Sequence, residues 1–182
     1  WNFGEVANGA RGINATQTTM AGTGIGTFND RLRDSVRGGS AFDEGNAIRA
    51  GQGFVNGLYT APNELAAADA AAKDALLLAA DRITVGMAGN LRTFKLTDRT
   101  GTTRSGASIA YNGAPTGYTL DPQESINYVE AHDNQTLFDI DAYKTATGTS
   151  AAERARMQSV ATSIPLFGQG IPFVHAGVEL LR

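Results

Sequence analysis

The 182-residue sequence predicts an α/β chain built on parallel strands, and three segments of its last third carry that prediction. Residues 125–131 are rich in strand formers and run directly into the polar cluster His132-Asp133-Asn134-Gln135. Ser150 and Glu153 then form a capping box at the head of a helix, in which Met157, Val160, Ala161 and Ile164 fall at the i, i+3, i+4, i+7 spacing of one buried face. Past Pro165 and Gly168, residues 171–176 read as a second short buried strand, with Pro172 near its start, where a missing N–H is tolerated. Strand, helix and strand with short connections imply a parallel pair joined by a right-handed crossover, and a parallel sheet needs cover on both faces. A (β/α) barrel and an open doubly wound sheet both satisfy that pattern.

Upstream, glycines crowd residues 4–57 and turn residues recur every few positions, so most of that stretch reads as loop. Within it, residues 24–28 read as a short buried strand and residues 30–34 as a charged turn of helix. From Pro62 the character changes. Asn63 fits an N-cap, Glu64 stands where the helix dipole favours an acid, and an Ala/Leu-rich run continues as helix through Leu78. A second short helical stretch covers residues 81–87. Residues 97–117, polar and dotted with glycine, read as a surface loop.

Fifteen Lys+Arg against eighteen Asp+Glu leave a net charge of −3, with the two signs interleaved, which speaks against nucleic acid as a partner. Cysteine is absent, so disulfides and thiolate metal sites are excluded, while the compartment stays open between cytoplasm and export. No apolar run reaches the ~20 residues that a membrane-spanning helix needs. With Trp1 inside an aromatic, glycine-rich stretch, the chain reads as a piece of a longer protein.

His132-Asp133 is the leading candidate site. In parallel α/β folds the C-terminal ends of strands face the active site, and this pair follows a predicted strand; a salt-bridged loop fits the same position. Two histidines with no His/carboxylate pair at helical metal spacing speak against zinc. His175, inside an apolar strand, reads as a core histidine. Gly22-Thr23-Gly24-Ile25-Gly26 lacks the spacing of a phosphate cradle and reads as a flexible loop. Trp1, Phe3 and Phe42 lie among glycine and asparagine, where exposed rings beside hydrogen-bonding groups suit sugars; a satellite packing cluster under a long loop fits them equally.

Five segments, in order along the chain, resemble pullulanases and limit dextrinases, debranching members of the alpha-amylase superfamily of glycoside hydrolases. They are Trp1-Asn2-Phe3-Gly4-Glu5-Val6, Gly26-Thr27-Phe28-Asn29-Asp30-Arg31-Leu32-Arg33-Asp34, Val85-Gly86-Met87-Ala88-Gly89-Asn90-Leu91, Tyr128-Val129-Glu130-Ala131-His132-Asp133-Asn134-Gln135-Thr136 and Gly170-Ile171-Pro172-Phe173-Val174-His175-Ala176-Gly177. The resemblance implies that residues 1–182 are part of one catalytic domain, the C-terminal part of a (β/α)8 TIM barrel. Residues 24–28, 125–131 and 171–176 would then be its sixth, seventh and eighth strands.

It further implies retaining hydrolysis of α-1,6-glucosidic linkages in pullulan and branched dextrins, with an α-glucan as the partner and neither nucleic acid nor membrane. Asp133 would be the third catalytic carboxylate, and His132 would hydrogen-bond the same sugar ring. Asn134 would support the site or the bound glucan. Trp1, Phe3 and, by spacing, Phe42 would line the cleft that receives the branch point. The nucleophile and general acid would stand upstream of Trp1, and the motif gives Glu5 no such role. No cofactor is required, although calcium is compatible with the superfamily in a full-length enzyme. Taken alone, the 182 residues are expected to fold poorly, because half a barrel leaves a strand edge unpaired, and to be inactive, because a lone stabilising carboxylate cannot replace the nucleophile and the acid. An α-1,4-acting amylase or transferase of the same superfamily, or a non-catalytic glucan-binding paralogue, is the alternative.

Overall fold

A computed structural model describes residues 15–181 of the chain. Three short strands, β1 (Thr27–Phe28), β6 (Ser125–Asn127) and β7 (Ile171–Pro172), form a parallel sheet in the order β1-β6-β7. Phe28 pairs with Ile126, and Asn127 with Pro172. These are the three predicted strands, in chain order and parallel as expected, with ladders shorter than the apolar runs that specify them. Residues 128–130 continue past the ladder with Tyr128, Val129 and Glu130 all buried.

Helices cover one side of the sheet. α1 (Gln17–Met20) leads into β1, and α2 (Asp30–Arg37) follows it directly. Asn29 caps α2, its Oδ1 accepting the Leu32 N–H at 3.0 Å, while its Nδ2 donates to Asn127 Oδ1 at 2.8 Å. A single buried amide thus starts the helix and ties it to β6. The helix runs to Arg37, beyond the single turn predicted, and stops at Gly38, whose φ of 81° is left-handed backbone that glycine adopts without strain. α3 (Asn46–Ala50), α4 (Ala70–Met87), α5 (Leu137–Lys144) and α6 (Ala151–Phe167) complete the helical set. Leu32, Val36, Ile83, Val129, Leu137, Ile140, Ala161 and Ile164 form the main core, drawn from α2, α4, α5, α6 and the segment after β6.

Two predicted boundaries change. The helix expected from Asn63 begins at Ala70, where Asp69 accepts the Ala72 N–H at 2.8 Å, and it absorbs the second stretch into one helix ending at Met87. Asn63 is instead buried: its Nδ2 donates to Arg49 O and Lys144 O, both at 2.7 Å, and its Oδ1 accepts the Leu65 N–H at 2.8 Å. Glu64 pairs with Arg49 and accepts from Thr147 N at 2.8 Å. Asn63 Oδ1 thus makes the local bond expected of a cap, but only a turn follows, while its Nδ2 and Glu64 are committed to Arg49, Lys144 and Thr147 from elsewhere in the chain. On α6 the capping box of Ser150 and Glu153 is present, but the buried face runs through Gln158, Ala161, Ile164 and Pro165, and Val160 is half exposed.

Residues 97–117 are structured rather than a loop. β2 (Lys95–Thr97) and β3 (Thr103–Ser105) pair antiparallel, as do β4 (Ala110–Tyr111) and β5 (Ala114–Pro115). Asp98 Oδ1 closes the first hairpin by accepting from Thr100 N at 2.9 Å and Thr102 N at 3.1 Å. Leu96 and Ile109 then pack on Val85 of α4 as a second apolar cluster. The sparse apolar residues of this stretch are enough for burial because the hairpins place them on one side.

The glycines at 22 and 24 are not a flexible loop. Both N–H groups donate to Glu124 Oε1, at 2.7 and 2.9 Å, and Glu124 is 2% exposed. An anion-binding concavity of backbone amides is present there, filled by the chain's own carboxylate.

The strands expected to be buried at residues 24–28 and 171–176 are partly open: Phe28 and Ile171, aligned across the sheet through Ile126, are 42% and 46% exposed, and Ile25, Phe173 and Val174 beside them are exposed too, because no further strand covers that face among the described residues. A parallel sheet with one apolar face open is unusual, since such sheets are ordinarily covered on both faces.

Candidate functional site

The segment after β6 carries the site. Glu130, 2% exposed, turns inward and accepts the Leu137 N–H at the start of α5 through Oε2, while Oε1 lies 3.6 Å from His175 Nδ1. Burial pushes the Glu130 carboxyl pKa up, partly offset by the Leu137 N–H and by the nearby His175 and Arg37. Arg37, at the end of α2, donates to Gln135 O at 2.9 Å and to Val129 O at 3.4 Å. Residues 131–136 are thus held at both ends by buried charged groups, and the polar tip between them turns outward. His175, expected as a core histidine, is partly exposed beside Glu130.

At the tip, His132 and Asp133 side chains are 84% and 74% exposed, with His132 Nε2 3.3 Å from Asp133 Oδ1. Asn134 has a φ of 62°, a left-handed position that asparagine takes more readily than most residues, and its Nδ2 donates to Ala41 O at 2.9 Å. That bond brings the Asp133 loop beside the loop bearing Phe42, whose ring is 82% exposed. His132, Asp133, Asn134 and Phe42 are thereby brought together on neighbouring loops. Trp1 and Phe3 lie outside the described residues. Chemically, the tip offers an accessible carboxylate and imidazole side by side, suited to hydrogen-bonding paired hydroxyls, with a free aromatic face on the adjoining loop.

Three further aromatics lie at the C-terminal ends of the strands and escaped the sequence reading. Phe28 stands edge-on to Tyr128 at 5.2 Å and to Phe173 at 5.3 Å. The available signal was one aromatic in each predicted strand, Phe28 in residues 24–28, Tyr128 in 125–131 and Phe173 in 171–176. Arg33 adds a bond to the Tyr128 hydroxyl at 2.6 Å.

Beneath these loops lies a buried polar network that sequence reasoning also missed. Asn56 donates to Arg37 O at 2.9 Å and to Asp141 Oδ1 at 3.1 Å, and Gln52 donates to Asn56 O at 2.6 Å. Asp141 is fully buried, and among the described residues its Oδ2 has no hydrogen-bond partner. Burial pushes its pKa up to about 6, against the pull of the Asn56 bond and of the Arg37, Lys144 and Arg154 charges. The folded protein therefore keeps a proton that the unfolded chain releases near pH ~4, and stability falls as pH rises from there through about 6. Asp141→Asn is expected to raise the unfolding midpoint at pH 7, by a stabilisation on the order of 2 kcal/mol, with little difference at pH 4. Thermal unfolding of the two proteins at both pH values checks this, and a lower midpoint for the variant at pH 7 would contradict it.

Among the described residues no group of three or more His, Cys, Asp or Glu side chains could hold a metal ion, and no helix is long and apolar enough to cross a membrane.

No family model matches the chain. It is 50% identical over 168 residues to the pullulanase of Klebsiella pneumoniae, a match that covers 92% of this chain and 15% of that protein. To the chloroplastic pullulanase 1 of Arabidopsis thaliana it is 47% identical over 184 residues, covering 100% of this chain and 19% of the relative. The crystal structure of the maltotriose complex of PulA from Klebsiella pneumoniae matches with a TM-score of 0.87 at 49% identity, over 92% of this chain and 18% of that one. The chain spans less than a fifth of the length of these relatives. With near-half identity along essentially its whole length and the same fold, the chain belongs to the pullulanase family.

Proposed function

We propose that a protein carrying this chain is a debranching glycoside hydrolase that cleaves α-1,6-glucosidic linkages in pullulan and branched dextrins by a retaining mechanism. The observation that carries this reading is the 47–50% identity to pullulanases across 92–100% of the chain. In this reading residues 1–182 are part of one catalytic domain, and β1, β6 and β7 are the sixth, seventh and eighth strands of a (β/α)8 barrel. Their parallel order and the open apolar face beside Phe28 and Phe173 support that assignment, because the remaining strands of a barrel would cover that face. The glucan class is supported by the maltotriose bound in the Klebsiella pneumoniae relative.

Retaining cleavage needs a nucleophile and a general acid roughly 5–5.5 Å apart, and both are assigned to residues outside this chain. Asp133 is the third carboxylate: it accepts hydrogen bonds from sugar hydroxyls and stabilises the positive charge that develops on the oxocarbenium-like transition state. His132, 3.3 Å away, donates to the same ring and keeps the Asp133 carboxylate oriented. Asn134 joins their loop to that of Phe42, whose ring offers a stacking face to the glucan near the branch point, with Trp1 and Phe3 as further rings of the cleft. This chemistry consumes water and calls for no organic cofactor; calcium, if bound, would be a structural ion of the larger enzyme.

Reducing-sugar release by the full-length protein from pullulan and from linear amylose tests the reading. Release from pullulan with maltotriose as product is the expected result. Release from amylose alone would move the specificity to α-1,4 bonds, and release from neither would leave a glucan-binding role.

A further inference from the structure

A buried lysine lies beneath the loop that carries Phe42. Residues 38–39 and 51–53 pass one another backbone against backbone: a Cβ on Gly38 would stand 2.3 Å from Gly51 O, and a Cβ on Gly53 would stand 2.2 Å from Gly38 N. Only glycine fits that crossing. It closes residues 40–50, Phe42 among them, into a loop with its two ends together, and it aims the Gly38 and Gly51 carbonyls at one point. Lys144 Nζ occupies that point, donating to Gly38 O at 3.1 Å and to Gly51 O, with the residue only 2% exposed.

Lys144 is the last residue of α5, and the first residue of that helix follows the Asp133 loop. At the other end of the same helix, Asn134 holds Ala41 O. The Phe42 loop is therefore held from two points on one continuous segment, by Asn134 on the loop just before α5 and by Lys144 at the helix's C-terminal end, and the N-terminus of α5 is itself fixed by Glu130. An enclosed ammonium costs free energy unless its donors are used. Burial pulls the Lys144 pKa down to about 8, with Arg37 acting in the same direction and Asp43, Asp34 and Asp141 opposing it. An apolar residue would fill the space without that cost; what it could not do is hold two converging carbonyls.

We propose that Lys144 is a positioning residue for substrate binding: its ammonium pins the glycine crossing to the C-terminal end of α5 and so fixes Phe42 relative to Asp133. The functional half of this inference rests on the placement of Phe42 in the cleft given above, whereas the pinning itself does not.

The test uses the full-length enzyme and its Lys144→Met, Phe42→Ala and doubly substituted variants. Lys144→Met is expected to speed amide hydrogen exchange across residues 38–53 by about tenfold or more, since the loop loses its anchor. It is also expected to raise KM for pullulan by roughly fivefold to tenfold with kcat within about twofold, which is the pattern of lost binding rather than lost chemistry. In the Phe42→Ala background the same substitution should add little to KM, because both changes remove one interaction. Unchanged exchange across residues 38–53 would overturn the proposal, as would KM effects that simply multiply in the double variant. A wild-type enzyme that leaves pullulan intact would defeat the functional assignment alone, and the exchange measurement would still decide the pinning. Should Lys144→Met not accumulate as folded protein, Lys144→Gln, which keeps an N–H donor, is measured in its place, with the same results expected in smaller degree and the same results overturning the proposal.

Discussion

Asp133→Asn in the full-length enzyme is expected to lower kcat on pullulan by roughly 10³-fold or more and to leave the unfolding midpoint essentially unchanged. The substitution keeps shape and hydrogen-bonding reach and removes only the negative charge. In the proposed mechanism positive charge grows on the sugar ring in the transition state, so the loss is expected in kcat rather than in ground-state binding. Stability is spared because the Asp133 side chain is 74% exposed, and His132, its partner at 3.3 Å, is more exposed still. Steady-state kinetics alongside a thermal melt make the measurement. Turnover near the wild-type rate would remove Asp133 from the catalytic set.

Gly53→Ala is expected to lower stability by about 3 kcal/mol or more. The added Cβ would meet Gly38 N at 2.2 Å and Arg37 C and Val36 O at 2.6 Å, all of them main-chain atoms that no rotamer change can move. Relief requires residues 36–38 and 53 to separate, which breaks the bonds from Phe54 N to Ser35 O at 3.0 Å and from Val55 N to Val36 O at 3.2 Å. Gly148→Ala is the matched control: its Cβ would find no atom within 4 Å and its φ is not left-handed, so a change within about 0.5 kcal/mol is expected. Equal midpoints for the two variants would show that the crossing parts easily, and would weaken the case that it holds the Phe42 loop in place.

Much of this architecture is legible in the residues themselves. Three short runs of strand-forming or apolar residues, each bounded by glycine or a polar cluster, specify three strands that pair parallel in chain order, because runs this short between turn signals suit strands better than helices. The capping box of Ser150 and Glu153 marks the start of α6 to the residue, since both of its bonds are local. The placement of His132 and Asp133 is legible for a related reason: they follow a predicted strand, and the structure exposes both at the end of that segment. The start of α4 is not legible, because Asn63 opens only a single turn, held in place by carbonyls of Arg49 and Lys144 from elsewhere in the chain, and the helix waits for Asp69. Nor is the order in residues 97–117, where a handful of apolar side chains suffices once two hairpins align them on α4.

The sequence by itself determined the family, the parallel α/β plan and the exposed His132-Asp133 pair, because each is written in contiguous residues whose spacing or chemistry is local. Only the tertiary structure decided what supports that pair. Glu130, Arg37, Asp141 and Lys144 read in the sequence as ordinary charges of a polar chain, and become buried anchors because segments up to 106 residues apart bring carbonyls and N–H groups to meet them. The physical reason is the cost of leaving a buried polar group unpaired: it forces such partners together, but no local pattern records which ones they will be.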